Sequence, residues 1–323
     1  MKKEIDKKQV RRWLAGYGDE AARIARALES LDNASGLVRG ADVLVFWAHY
    51  IECGDGTAEQ GQRVSDALKE ILGEDGLGVG GGENEVGDML ESAQGFCSWG
   101  RWNGGEKYIG AARRMAWHCW RDWERDPQCG IQLSFWVSLL ELCSSLLYIQ
   151  PDRELHIVAS RCVATLLNAY YDIETKSFIY AVGFIGGEAP VERAASVSLG
   201  LRAVDALMNE AVRCGDGRLF DWGGLCARTY ATREGEATRE GEATREGEHA
   251  DMSSGAIDML RLIALRSLRH REDSWGKRWI DLEWNAPDNE LESRALRQRS
   301  ACLCLGELEQ LAKSDEVSGS LRF

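Results

Sequence analysis

Apolar residues recur at spacings of three and four near the start of the chain. Val10, Trp13, Leu14, Tyr17, Ala21, Ile24, Leu28 and Leu31 fall on one face of a helix. The run from Leu37 to Ile51 breaks that pattern. Its middle, Val43-Leu44-Val45-Phe46-Trp47-Ala48, is apolar on every side, which predicts a helix buried among other elements. A third helix carries Val64, Leu68 and Leu72 and stops at the glycine-rich segment from Gly73 to Gly82. Met89, Leu90, Ala93, Phe96 and Cys97 then mark a helix, Trp99, Trp102, Gly104 and Gly105 the turn after it, and Tyr108, Ala112, Met115, Cys119 and Trp123 the next helix.

Ile131 to Ile149 is apolar over nearly the length of a bilayer span. Gln132, Ser134, Ser138, Glu141 and Ser144 make it instead a helix buried in protein, because a central glutamate is costly in lipid. Leu155, Val158, Cys162, Leu166 and Tyr170 continue the helical series, and Phe178-Ile179-Tyr180 is a short β-like run. Pro190 has the look of a first-turn proline, opening a helix through Val197, Leu201, Val204 and Leu207. Met252 to Leu268 and Leu291 to Leu311 complete the set. About eleven helices with no strand series predict an all-α protein.

The loops share a signature: an acid near a helix end, a turn, then apolar residues. Asp75, Asp126, Asp172 and Asp216 are 51, 46 and 44 residues apart, and Asp273 follows after 57, or 39 once 18 residues of tandem repeat are removed. A period in the forties is that of a helix pair, and stacked pairs form a solenoid or close into a ring. With 323 residues the chain holds about six pairs, so the expectation is one (α/α) toroid domain over 1–323. The tandem repeat itself, Ala231-Thr232-Arg233-Glu234-Gly235-Glu236 in three copies ending at Glu248, has no large apolar residue. It predicts a solvated surface insertion over 231–248, as loop or frayed helix.

Composition narrows the function classes. A net charge of −13 argues against a nucleic-acid backbone or an anionic membrane as partner. The basic start, Met1-Lys2-Lys3, has no apolar stretch behind it, because Arg11, Arg12, Asp19 and Glu20 interrupt it, and the expected location is cytoplasmic. The ten cysteines are dispersed. Cys97, Cys119, Cys143 and Cys162 sit on apolar helical faces, which suits reduced, buried thiols. No zinc spacing surrounds Cys302-Leu303-Cys304, so neither a metal nor a cofactor is expected.

The stretch Gly80-Gly81-Gly82-Glu83-Asn84-Glu85-Val86-Gly87-Asp88-Met89-Leu90-Glu91 concentrates the candidate chemistry. Glu85, Asp88 and Glu91 are three apart and partly share a helical face, which suits an acidic site at a helix start. Capping by Asn84 and first-turn acids opposite the helix dipole account for the same residues without chemistry. Two further acidic groups surround Pro190 (Glu188, Glu192, Arg193) and open Asp221-Trp222-Gly223-Gly224. The catalytic candidates are Glu85, Asp88, Glu192 and Asp221. Glu83 and the loop tryptophans Trp99, Trp102 and Trp222 are the substrate-binding candidates, since an indole offers a stacking face to a sugar. Trp117, Trp120 and Trp123 follow helical spacing and are assigned to packing, and His49 and His118 to structural roles. No Ser-His-Asp order, phosphate loop or His-x-x-x-His pair is present.

The segment from Gly82 to Ala93, with Tyr108 and Ala112-Arg113-Arg114-Met115 after it, resembles part of bacterial (α/α)6-barrel proteins similar to β-L-arabinofuranosidase-like glycosidases. The resemblance implies a toroid with a carbohydrate site at one rim. The Glu and Cys cluster that binds zinc and supplies the nucleophile in that family is not recognisable here, and the β-sandwich usual after the barrel is absent. Three readings follow: a carbohydrate-processing, glycoside hydrolase-like enzyme acting on a carbohydrate or other small molecule, a non-catalytic helical scaffold binding glycan or protein, and a terpenoid-cyclase-like toroid. The last lacks its Asp-x-Asp-Asp signature and ranks below the others.

Overall fold

A computed structural model describes residues 7–30, 45–48, 50, 59, 61–63, 65–66, 85–103, 105–126, 132–180, 194–241, 254–271, 275–281, 303–304, 306–311 and 313. Its helices are α1 (Lys7–Ser30), α2 (Glu85–Asn103), α3 (Glu106–Arg125), α4 (Leu133–Ile149), α5 (Arg153–Thr165), α6 (Val197–Cys214), α7 (Gly217–Gly241), α8 (Ser254–Arg271) and α9 (Lys277–Asp281). Shorter helical stretches lie within 45–50, 59–66 and 303–313. A π-helical turn, Leu166–Tyr170, ends α5 and leads into an antiparallel hairpin of β1 (Tyr171–Asp172) and β2 (Ser177–Phe178).

Helices α2, α4, α6 and α8 pack side by side in series, while α3, α5, α7 and α9 each pack on the inner helix before them. The sequence pattern explains the two layers. Along α4, residues Phe135 to Ser144 are all buried, as an inner helix requires. The buried residues of α3 (Tyr108, Ala111, Ala112, Met115, Ala116, Cys119) form one stripe, as expected for an outer helix. The first and last parts of the chain meet: Trp13 Nε1 donates to Asp281 Oδ1 at 2.8 Å, and Arg12 Nη2 donates to the same oxygen at 2.9 Å. These hydrogen bonds link α1 to α9. Among the described residues, no helix is long and apolar enough to cross a membrane.

Turns that leave an inner helix are short. Gly215 (φ 71) caps α6 in the left-handed region, and Asp216 Oδ1 accepts from Arg218 N and Leu219 N to start α7 two residues later. Connections that enter inner helices are longer, and one of them carries the β hairpin. Gly200 on α6 lets Tyr230 of α7 come close: a Cβ there would stand 2.3 Å from the Tyr230 hydroxyl. That hydroxyl accepts from Phe178 N at 2.9 Å, which ties the hairpin to both layers.

One expectation changes, and another resolves to one of its alternatives. Helix α6 begins at Val197, not Pro190. Ser196 caps it by accepting from Leu199 N, and Ala194 is engaged in a bridge with Ile179, so residues 194–196 are not helical. Pro190 lies outside the described residues. The tandem repeat is also not set apart from the fold at its start. Helix α7 runs through the first copy to Gly241, and Ala231 is buried. The remainder of the repeat, from 242, lies outside the described residues.

Candidate functional site

Because each inner helix leaves by a short turn into an antiparallel outer helix, the N-termini of α2, α4 and α6 share one rim. Glu91, Ser138 and Arg202 stand at matching depths, within two turns of these N-termini, and they meet. Arg202 Nη2 donates to Glu91 Oε1 at 2.6 Å and to Glu141 Oε2 at 2.7 Å, and Arg202 Nε donates to Glu141 Oε1 at 3.2 Å. Ser138 Oγ donates to Glu91 Oε1 at 2.8 Å and lies 3.2 Å from Arg202 Nη2. One turn deeper on α2, Gln94 Nε2 donates to Glu141 Oε2 at 2.9 Å and to the Ser138 carbonyl at 3.0 Å.

The floor under this rim therefore joins three consecutive inner helices through two carboxylates and one guanidinium. Arg202 and Glu141 are largely buried, with side chains 15% and 11% exposed, and Glu91 keeps 28%. Burial alone would lower the Arg202 pKa, but the Glu141 and Glu91 charges outweigh it and hold the guanidinium well above its usual range. The pairing with Glu141 is two-pronged, the geometry that suits a planar guanidinium. Glu91 accepts two hydrogen bonds at Oε1 and is the more accessible of the two acids.

The predicted residues are placed as follows. Glu85 opens α2, and Asp88 stands one turn before Glu91 on the same helix; their side chains lie outside the described residues. Glu83 and Glu192 also lie outside them. Asp221 is on outer helix α7, one turn past the junction with α6, and its carboxylate pairs with Arg271 Nε at 2.7 Å. It therefore belongs to the rim opposite Glu85 and Glu91, because α6 carries the chain across the ring before α7 begins. Trp99 is wholly buried in the last turn of α2, tilted against Trp102 with ring centroids 4.9 Å apart and pressed against Gly61. It exposes no face to a sugar, and its large apolar area explains why a presumed loop residue became core. Trp102 is half-buried beside it, and Trp222 packs edge-on against Tyr171 of the hairpin at 5.0 Å.

The sequence did not reveal that Glu91, Glu141 and Arg202 meet, nor that Tyr180 stands near them. Glu141 and Arg202 did leave a signal, as charges inside otherwise apolar helices, but their pairing is not local. Tyr180 is 39% exposed, and its carbonyl accepts from Leu133 N at 2.8 Å, so it stands at the entrance to α4 on the acidic rim. Cys97, Cys119, Cys143 and Cys162 are buried thiols outside any disulfide, as expected, and burial pushes the Cys97 thiol up to about 12.

No family model and no curated protein matches this sequence. Solved structures do match in fold. The α-1,6-mannanase GH76A from Salegentibacter sp. HEL1_6 aligns with a TM-score of 0.65 at 11% identity, covering 91% of this chain and 99% of that one. The glycoside hydrolase family 76 mannosidase Bt3792 from Bacteroides thetaiotaomicron VPI-5482 aligns at 0.59 with 10% identity, covering 93% and 99%. The polysaccharide lyase BACCELL_00875 aligns at 0.59 with 9% identity, covering 92% and 98%. At these identities the likeness establishes the (α/α) toroid over nearly the whole chain.

Proposed function

We propose that this protein is a carbohydrate-processing enzyme of the glycoside hydrolase type, acting on a saccharide at the rim formed by the N-termini of α2, α4 and α6. The observation that carries the reading is the Glu91–Arg202–Glu141 floor, a charged network spanning three inner helices where the long connections gather. Two supports stand beside it. The exposed Tyr180 offers a stacking face at the same rim, and the fold is shared with family 76 mannanases, including one solved with α-1,6-mannotriose.

In this reading Glu91, oriented by hydrogen bonds from Arg202 and Ser138, takes a proton from water or a sugar hydroxyl. Asp88, a turn nearer the rim, supplies the proton to the leaving oxygen. Acids about one helical turn apart suit the carboxyl separations of glycosidic chemistry. Glu85 and Glu192 are the alternates for the proton donor. This reading makes no use of Asp221, whose carboxylate pairs with Arg271.

The test is turnover of aryl glycosides and oligosaccharides, α-1,6-mannooligosaccharides among them, by wild type, Asp88→Asn, Glu85→Gln and Glu91→Gln. Loss of turnover by at least a hundredfold with an unchanged helical spectrum, in Glu91→Gln and one of the other two, supports the assignment. Full turnover in all three variants overturns it. The internally satisfied floor also favours a second reading, a non-catalytic scaffold that binds glycan or protein. That reading holds if wild type binds oligosaccharides without cleaving any of them.

A further inference from the structure

One other polar cluster joins two layers of the ring, at the rim where the inner helices end. His156 lies in the first turn of α5, and Glu210 and Cys214 stand one turn apart at the end of α6. One donor atom from each (an imidazole nitrogen, a carboxylate oxygen and a sulfur) lies within 4.8 Å of the other two. A single nitrogen sits among them. Arg213 Nη2 is 2.9 Å from His156 Nδ1 and 3.1 Å from Cys214 Sγ, and it also donates to Glu210 Oε1.

A guanidinium has donors only, so His156 Nδ1 must accept and turns its lone pair into the cluster. An accepting ring nitrogen is also the atom by which imidazole ligates metals. Ser144 Oγ and Arg213 Nε both donate to Glu210 Oε2, at 2.7 Å each, which leaves Oε1 as the oxygen facing the cluster. The three side chains thus already present nitrogen, oxygen and sulfur donors around one positively charged group.

We propose that His156, Glu210 and Cys214 form a site for a thiophilic divalent cation of the Zn²⁺ type, entered when the Arg213 guanidinium swings out to solvent. A mixed nitrogen, oxygen and sulfur set suits Zn²⁺, whose ligands stand about 2.0–2.3 Å from the ion and so roughly 3.3–3.8 Å from one another. Small side-chain rotations close the present spacing to that range, because His156 and Cys214 are at the surface. The same exposure gives the ion entry from solvent and lets water complete the shell, while the thiol proton leaves to bulk water. Arg213 and the cation compete for one position, so the guanidinium sets the affinity. Cys214 lies twelve residues beyond Arg202 on α6, about 18 Å along the helix, so this site is separate from the acidic rim and does not depend on the saccharide reading.

The full chain is titrated with Zn²⁺ by calorimetry and with Co²⁺ by absorption. Arg213→Ala is expected to bind one Zn²⁺ per chain at least tenfold more tightly than wild type. Its Co²⁺ complex is expected to show a thiolate charge-transfer band in the near ultraviolet. Adding Cys214→Ser to Arg213→Ala should abolish the band, and adding His156→Ala should weaken Zn²⁺ binding at least tenfold. Arg213→Met, which keeps the apolar stem, serves as a second background should Arg213→Ala not fold. The proposal is overturned if neither background binds more tightly than wild type, or if the band survives Cys214→Ser.

Discussion

Replacing Arg202 by methionine tests whether the acidic floor is one coupled unit. The substitution keeps most of the aliphatic stem and removes the charge, leaving Glu91 and Glu141 facing each other across α2 and α4 without their shared cation. Removing one partner of a buried ion pair costs about 3–5 kcal/mol, because the other charge is left uncompensated. Arg202 and Glu141 fit that case, and Glu91 is accessible enough that its share is partly screened by water. A loss of about 3 kcal/mol is therefore expected, which for a chain of this size is a fall in Tm of roughly 4–5 °C. Urea unfolding followed by helical circular dichroism reads it directly. The triple variant Glu91→Gln, Glu141→Gln, Arg202→Met removes all three charges together and should recover at least half of the loss, since desolvation then falls on neutral groups. A loss below 1 kcal/mol in the single variant, or no recovery in the triple one, would refute the reasoning.

Deleting residues 231–242 removes two whole copies of the repeat and returns alanine to position 231, where Ala243 takes over the buried site. The deleted end of α7 carries no large apolar side chain, and the length of the route to α8 enters closure entropy only logarithmically, so Tm should stay within about 2 °C; a fall of many degrees would show that the deleted residues pack. Gly200→Ala should destabilise by about 1–3 kcal/mol despite its better helix propensity, because the new methyl meets the Tyr230 hydroxyl that holds Phe178 N; a rise in Tm would contradict the packing. Burial, then Arg269, with smaller effects of Arg266 and Arg271, lowers the His270 pKa below its ordinary 6.5 against an opposing Glu307. The unfolded chain then binds the proton first, so stability is full above about pH 6.5 and falls as pH drops towards the folded pKa. The slope between pH 7 and 5.5 should flatten in His270→Gln, and an unchanged slope would exclude His270 as its source.

Particular residues show how much was legible beforehand. The stripe Val10, Trp13 and Tyr17, the all-round apolar Val45 to Ala48 and the apolar α4 were readable because periodicity records local burial, and burial decides the layer of the ring a helix occupies. The Asp period pointed to the right number of helix pairs, although its members are not equivalent. Asp126 follows outer helix α3, whereas Asp216 follows inner helix α6 and caps α7 on the opposite rim. Its regularity reflected element length rather than site geometry. Candidate chemistry was legible only where it was local, in the acids around Glu85, Asp88 and Glu91 at one helix start.

The amino-acid sequence by itself determined the class of element, the two layers and the approximate count of pairs, since these follow from the order of apolar and polar positions along each helix. Tertiary structure decided which charges meet. Glu91, Glu141 and Arg202 are brought together by the relative depth of three helices, and that depth is set by side-chain packing between them. The same packing drew Trp99 into the core and left Asp221 on the far rim, because a helix must cross the ring between Arg202 and Asp221. Distance along the chain carries no information about such contacts until the helices are docked.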